Sequence, residues 1–253
     1  MKKSTISLAL VTSMALALTA CGGGGSSGGS TTSPSTPVVK PNPTNSNTNP
    51  QTNTQTISGK AIAIPLDDNS NDVFYKNING NNINTLNVDG KTFTIGTSGI
   101  NANSFTTINS ATQWSVISGT HLQHAKYGYY NNKKDNEYLF YQGEKTPVAN
   151  LPKGVVNYTG RSIYLCETCN EDIIQGTSKF TADFGKKTLT GSISNAKASN
   201  IALNATISGN TFAGKNNGTQ VDGAFFGNNA QELSGYFINE DKAFAGAFGA
   251  SKQ

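Results

Sequence analysis

Charge is scarce in this chain: only 13% of its 253 residues are Asp, Glu, Lys or Arg. There are 19 Lys and Arg against 15 Asp and Glu. Two of those lysines, Lys2 and Lys3, belong to a leader, so the mature balance is +2. A near-neutral surface lacks the basic patch that neutralises phosphates, which argues against a nucleic-acid partner. Helical periodicity is missing too. No window of helical length repeats its apolar residues every 3.6 positions, so helical bundles and alternating α/β folds are set aside. The apolar run at the start, from about Ile6 to Leu18, is too short and wrongly flanked to span a membrane. Histidine occurs twice, tryptophan once and cysteine three times. Neither histidine stands near a serine or cysteine nucleophile motif. Asp67-Asp68 and Glu171-Asp172 sit in polar, turn-like contexts and read as solvated charges, not as a tuned acid/base pair. No enzyme is expected.

What is present begins with an export leader. A basic start, an apolar stretch and then Leu18-Thr19-Ala20-Cys21 resemble a bacterial lipobox, with cleavage before Cys21 and acylation of its sulfur and freed amine. Several acyl chains together hold a protein firmly where one holds it only reversibly. Residue 22 is Gly and not Asp, which by known sorting rules permits passage to the outer membrane. Residues 1–20 are therefore expected to be a signal peptide, and 21–56 a lipidated cysteine followed by a tether. The tether is mostly Gly, Ser, Thr, Asn and Pro, with Lys40 as its single charge, a composition that cannot repay its ordering entropy. As a flexible coil it would span on the order of 30 Å.

From Ile57 the texture becomes that of β-structure. "VDGKTFTI" turns at Asp89-Gly90, and "EYLFYQG" is a strand ending at Gly143. Pro147 and Pro152 then mark a boundary. Beyond them "VVNYTGRSIYL" gives a strand pair or one long strand bent at Gly160. "SKFTADFGKKTLTGSI" reads as a hairpin turning at Gly185-Lys186, and "NIALNATISGNTFAGK" as another turning at Gly209-Asn210. "TQVDGAFFG", "ELSGYFIN" and "KAFAGAFGASKQ" complete a meander. Glycines inside strands (Gly191, Gly223, Gly235, Gly246) point to a closed barrel, where they relieve crowding at sharp bends.

Three segments carry a resemblance: "FTADFGKKTLTGSI", "FAGKNNGTQVDGAFFGNNAQELSGYF" and "AGAFGASKQ". Together they closely resemble the β-barrel domain of transferrin-binding protein B and its relatives, which are surface lipoproteins of Gram-negative bacteria. "HAKYGYY" and "EYLFYQG" resemble the end of the handle sheet beside each such barrel. The resemblance implies an all-β chain, with a handle sheet over 57–150 packed beside an eight-stranded antiparallel barrel over 151–253. The transferrin receptor carries two such lobes, whereas this chain has room for one, as do relatives of the haemophilin and factor H-binding protein kind. It implies a lipid-anchored protein of the outer membrane, displayed on the cell surface. The implied partners are a host iron carrier or haem, a surface-lipoprotein translocon and a TonB-dependent receptor. The other reading is a host-protein binding module, for adhesion or complement control, with no small ligand.

Candidate ligand residues lie in "HLQHAKYGYY". If the tract is all strand, His121 and His124 point to opposite faces and cannot share one metal. A loop after Gly119 would change that. Two readings stand: both histidines are ordinary surface or edge residues, or one is an axial haem ligand with Tyr127 or Tyr129 nearby. Haem is thus the one cofactor to test, and no metal site is expected. Cys166 and Cys169, in "YLCETCNED", form a disulfide by default in an exported protein. Zinc shared with the histidines has the right count but no interlocked spacing.

Overall fold

The computed structural model describes residues 56–66, 73–96, 103–167, 169, 173–198 and 200–253. The lipobox with Cys21, the tether, Asp67-Asp68 and Glu171-Asp172 lie outside them. Among the described residues the chain is almost wholly strand. It runs β1 (Ile57–Pro65), β2 (Phe74–Gly80), β3 (Thr85–Val88), β4 (Lys91–Thr94), β5 (Phe105–Asn109), β6 (Trp114–Ser118), β7 (Ala125–Asn131) and β8 (Asn136–Gly143). After a short 3-10 turn at Val148–Asn150 come β9 (Val155–Cys166), β10 (Ile174–Asp183), β11 (Thr188–Asn195) and β12 (Ile201–Ser208). The last four are β13 (Thr211–Asn216), β14 (Thr219–Phe226), β15 (Glu232–Asn239) and β16 (Phe244–Lys252).

Strands β9 to β16 close into an eight-stranded antiparallel barrel, with β16 pairing back onto β9. The first half forms a six-stranded sheet in the order β2-β1-β8-β7-β6-β5, with β3 and β4 as a separate hairpin. That hairpin turns on Asp89 and Gly90, both at positive φ (53° and 71°), as a type I′ turn demands. In the β12–β13 hairpin Gly209 takes φ 55°. At the β10–β11 turn the left-handed residue is Lys187 (φ 57°) rather than Gly185. The "VVNYTGRSIYL" stretch is one long strand, β9.

Period-two alternation sorts the apolar side chains into three layers. Phe212, Phe225, Phe237 and Phe248 point into the barrel and are buried there with Tyr158 and Phe180. The other face of the same strands is also apolar over one sector. Ile163, Ala224, Phe226, Tyr236, Ile238 and Ala247 pack outward against Ile62, Tyr127, Tyr129, Leu139 and Tyr141 of the six-stranded sheet. The sheet's far face, with Tyr130, Tyr138 and Phe140, is covered by Leu86 and Val88 of the β3–β4 hairpin. Strands buried on both faces read as continuous apolar runs rather than as alternation, which is why "GAFFG" and "GYFI" look so dense.

The four strand-interior glycines have a common physical cause that differs from simple bending. Each stands directly opposite a phenylalanine: Gly191 to Phe180, Gly223 to Phe212, Gly235 to Phe248 and Gly246 to Phe237. At each, a Cβ would overlap the ring of that phenylalanine. The missing side chain lets the ring lie flat over its neighbour's backbone. Phe248 then meets Phe180, Phe212 and Phe237 at centroid separations of 4.7, 6.4 and 6.4 Å, an aromatic column that fills the barrel.

Candidate functional site

The "HLQHAKYGYY" tract divides at Ala125. Residues from there on form β7, but 119–124 form a loop, so strand alternation does not separate the two histidines. The reason lies across the seam. Glu232, at the start of β15, is 5% exposed and turns its carboxylate toward this loop. Three consecutive backbone N–H groups donate to it: Gln123 at 2.6 Å, His124 at 2.9 Å and Ala125 at 3.0 Å. Three N–H groups converging on one anion need a curled backbone, which a strand does not offer. Burial raises the Glu232 pKa, and these three hydrogen bonds oppose the rise. The loop is held further by Gly119 N–H to the Ser104 carbonyl (2.7 Å) and Glu144 N–H to the His124 carbonyl (3.0 Å).

Both histidines line one cleft of about 430 Å3 with Gln123, Gln231, Glu232 and Lys252. His121 also borders a second groove. Its Nε2 lies 3.1 Å from the Tyr127 hydroxyl, which in turn donates to the Arg161 carbonyl at 2.8 Å. The ring also meets the Ser104 backbone in a hydrogen bond. Burial first, then the Arg161 and Lys126 charges, lowers the His121 pKa to about 4, and that hydrogen bond opposes the fall. The ring is therefore neutral at physiological pH. His124 packs against Gly227, where a Cβ would meet its ring.

Tyr127 is fully buried and Tyr129 is 2% exposed. The Tyr129 hydroxyl accepts from Asn131 Nδ2 at 3.2 Å. Both belong to the packed layer between sheet and barrel. A porphyrin needs an apolar slot and an accessible ligand atom. Here one histidine is tied up and both tyrosines are enclosed. The clefts beside the loop are walled mainly by amide, hydroxyl and charged side chains. His121, Tyr127 and Tyr129 are thus enclosed, and of the four candidate ligands His124 is the one whose ring borders an open cleft without such a tie. Among the described residues no group of three or more His, Cys, Asp and Glu could hold a metal ion. Cys166 and Cys169 sit at the end of β9 and in the loop after it, with Cα atoms 5.2 Å apart and their sulfurs at bonding distance.

The opposite side of the seam holds residues that did not stand out in the sequence. A cleft of about 420 Å3 opens between β2 and the β13–β14 wall, lined by Lys60, Tyr75, Lys76, Asp222 and Tyr236. Asp222 binds Lys60 Nζ at 2.6 Å and accepts from the Tyr141 hydroxyl at 2.5 Å. Burial and the Asp222 charge together raise the pKa of Tyr141 and Tyr236. Tyr75 leans on Tyr236 with ring centroids 6.4 Å apart. Tyr75 and its neighbour Phe74 are 51% and 44% exposed, on a strand that ends the sheet. A signal for the two carboxylates did exist. Asp222 is followed at alternate positions by Ala224 and Phe226, and Glu232 by Ser234, Tyr236 and Ile238, so each carboxylate stands on a largely apolar face. A lone carboxylate on such a face needs a specific partner.

Residues 136–252 match the family described as C-lobe and N-lobe beta barrels of Tf-binding protein B. The barrel belongs to the transferrin-binding protein B barrel family. A Haemophilus influenzae protein described as uncharacterised is 38% identical over 196 residues, covering 67% of this chain and 66% of its own. Transferrin-binding protein B of Neisseria meningitidis serogroup B is 23% identical over 216 residues, 54% of this chain and 36% of that one. The chain thus spans about a third of that receptor and just under two thirds of the Haemophilus relative. Among solved structures, isotype 1 transferrin-binding protein B from N. meningitidis superposes with a TM-score of 0.58 at 21% identity, over 78% of this chain and 44% of that one. The haemoglobin receptor HpuA of Kingella denitrificans gives 0.55 at 14% identity, over 80% and 88%. At those identities the likeness is one of fold, and it extends over the sheet as well as the transferrin-binding protein B-like barrel. The family is one of binding proteins.

Proposed function

We propose that this chain is a lipid-anchored protein of the Gram-negative outer membrane, displayed on the cell surface, that binds a host protein carrying iron or haem. The observation that carries the reading is the aromatic edge at Phe74 and Tyr75. Large aromatic side chains half exposed beside a cleft are the commonest anchors of protein interfaces; Tyr75 overhangs the seam of a barrel whose family binds proteins, and Phe74, next along the same edge strand, is exposed on the sheet's other face. Two relatives of the same fold point the same way: transferrin-binding protein B by its name, and HpuA, which is solved in complex with human haemoglobin. A carrier protein is favoured over free haem because the histidine loop lacks an apolar slot. Handover to a TonB-dependent receptor, after export by a surface-lipoprotein translocon, completes the reading.

The test is biosensor binding of the mature chain to human transferrin, human haemoglobin and haemin side by side. Saturable binding of one carrier protein supports the reading; no carrier bound, with haemin taken up, replaces it by haem capture. The division into signal, tether, sheet and barrel, the acylated Cys21 and the Cys166–Cys169 disulfide are part of the same proposal. Mass spectrometry of the exported chain checks the two cysteine assignments: an acylated N-terminal peptide beginning at Cys21, and a Cys166–Cys169 peptide lighter by two hydrogens. Two free thiols or an unmodified leader would contradict them.

A further inference from the structure

The groove on the far side of His121 has an unbalanced chemistry. Its floor is the outward face of β10, β9 and β16, and its wall is the 119–124 loop. Strand register fixes who stands beside whom. Thr159 lies between Lys179 and Ser251, and Arg161 lies between Thr177 and Gly249. Arg161 and Lys179 therefore share one face of adjacent strands, in the diagonal relation in which long side chains reach one another. Among the described residues neither has a carboxylate partner. Glu232, the acid that faces the loop, is consumed by three backbone N–H groups. The Arg161 backbone is held by the Tyr127 hydroxyl, so its guanidinium is presented from a fixed base. The other groups on the floor are the hydroxyls of Thr159, Thr177 and Ser251.

Two unneutralised cations on one face repel each other, and an oxyanion between them removes that cost. The cavity, about 510 Å3, is larger than a lone carboxylate or sulfate requires and falls in the range of small-ligand clefts. Three hydroxyls beside the cations can exchange hydrogen bonds with ring hydroxyls, which both donate and accept. A peptide would bring further N–H donors to a groove already rich in donors.

We propose that this groove binds a sugar ring bearing an oxyanion, either a carboxylated or a sulfated sugar, on the glycan of a host glycoprotein. The inference rests on the host-protein reading above for the source of the glycan, but the groove's own chemistry is tested without it. Amide NMR shifts of the mature chain would be followed during titration with N-acetylneuraminic acid, galactose 6-sulfate, neutral galactose and sodium sulfate, each at physiological ionic strength. One or both acidic sugars should give saturable shifts at residues 159–161, 177–179 and 251, and whichever binds identifies the source. Neutral galactose should give none. Arg161→Ala should weaken the acidic sugar by about tenfold, the scale of one hydrogen bond to a charged group, and Arg161→Lys should recover part of it. Arg161 is exposed, so the variants should keep the wild-type melting temperature. Equal shifts with galactose, or sodium sulfate matching the acidic sugars (an adventitious ion only), would overturn the proposal, as would an Arg161→Ala titration identical to wild type. If no sugar binds while transferrin or haemoglobin does, the inference fails and the host-protein reading stands.

Discussion

At the scale of single residues, the seam depends on Glu232. A buried carboxylate with three N–H donors is a charge-assisted clasp between parts of the chain more than a hundred positions apart. Glu232→Gln puts an amide donor where an acceptor is needed and leaves at least one buried N–H unsatisfied. Urea denaturation should show a loss of about 2–4 kcal/mol, the range for breaking a buried hydrogen-bonded charge. An unchanged midpoint would mean that the loop holds itself. His121 carries the pH dependence. Its folded pKa, about 4, lies below the ordinary 6.5, so the unfolded chain takes up the proton first as pH falls. Its contribution is complete above pH 6.5 and is lost as pH falls through about 4. His121→Gln keeps a hydrogen-bonding group for Tyr127 and does not titrate. Between pH 6.5 and 4 its stability should fall less steeply than that of wild type, and parallel curves would contradict the assignment. Both histidines were visible in the sequence, but their setting was not. A loop held open by an acid 108 positions away from His124 leaves no mark on local alternation.

At the scale of strands, legibility followed periodicity. Turns at Asp89-Gly90 and Gly209-Asn210, the strand ending at Gly143 and the meander from β10 to β16 all follow from short-range patterns. The cross-strand partners of the interior glycines did not, because a ring lying over a glycine is fixed by register and not by sequence neighbours. That pairing makes a specific prediction. At Gly223 a Cβ would collide with the Phe212 ring and the Ser234 carbonyl, whereas at Gly154 nothing lies within 4 Å. Gly223→Ala should destabilise the barrel by about 1–3 kcal/mol, as overpacking does. Gly154→Ala should be near neutral. Similar urea midpoints for the two variants would show that Phe212 has room to move aside.

At the scale of the whole molecule, the chain divides its apolar surface with economy. The barrel fills itself with phenylalanine, and one sector of its outer wall is covered by the sheet. The sheet's far face is covered by the β3–β4 hairpin. Phe74 and Tyr75 stand outside all three layers. Sequence alone could not separate them from core aromatics, since the apolar run that opens "VFYKNI" reads like that of a strand buried on both faces. Their exposure depends on β2 being the last strand of its sheet. The central claim, that this edge receives a host carrier protein, is tested most directly by one comparison. Binding of human transferrin and of human haemoglobin would be measured by biosensor for the mature wild type and for Phe74→Ser/Tyr75→Ser. The account predicts that the wild type binds one carrier and that the double variant, unchanged in urea midpoint, loses at least about thirtyfold in affinity, the scale of one interface hot spot. Carrier binding equally strong in the double variant would contradict it.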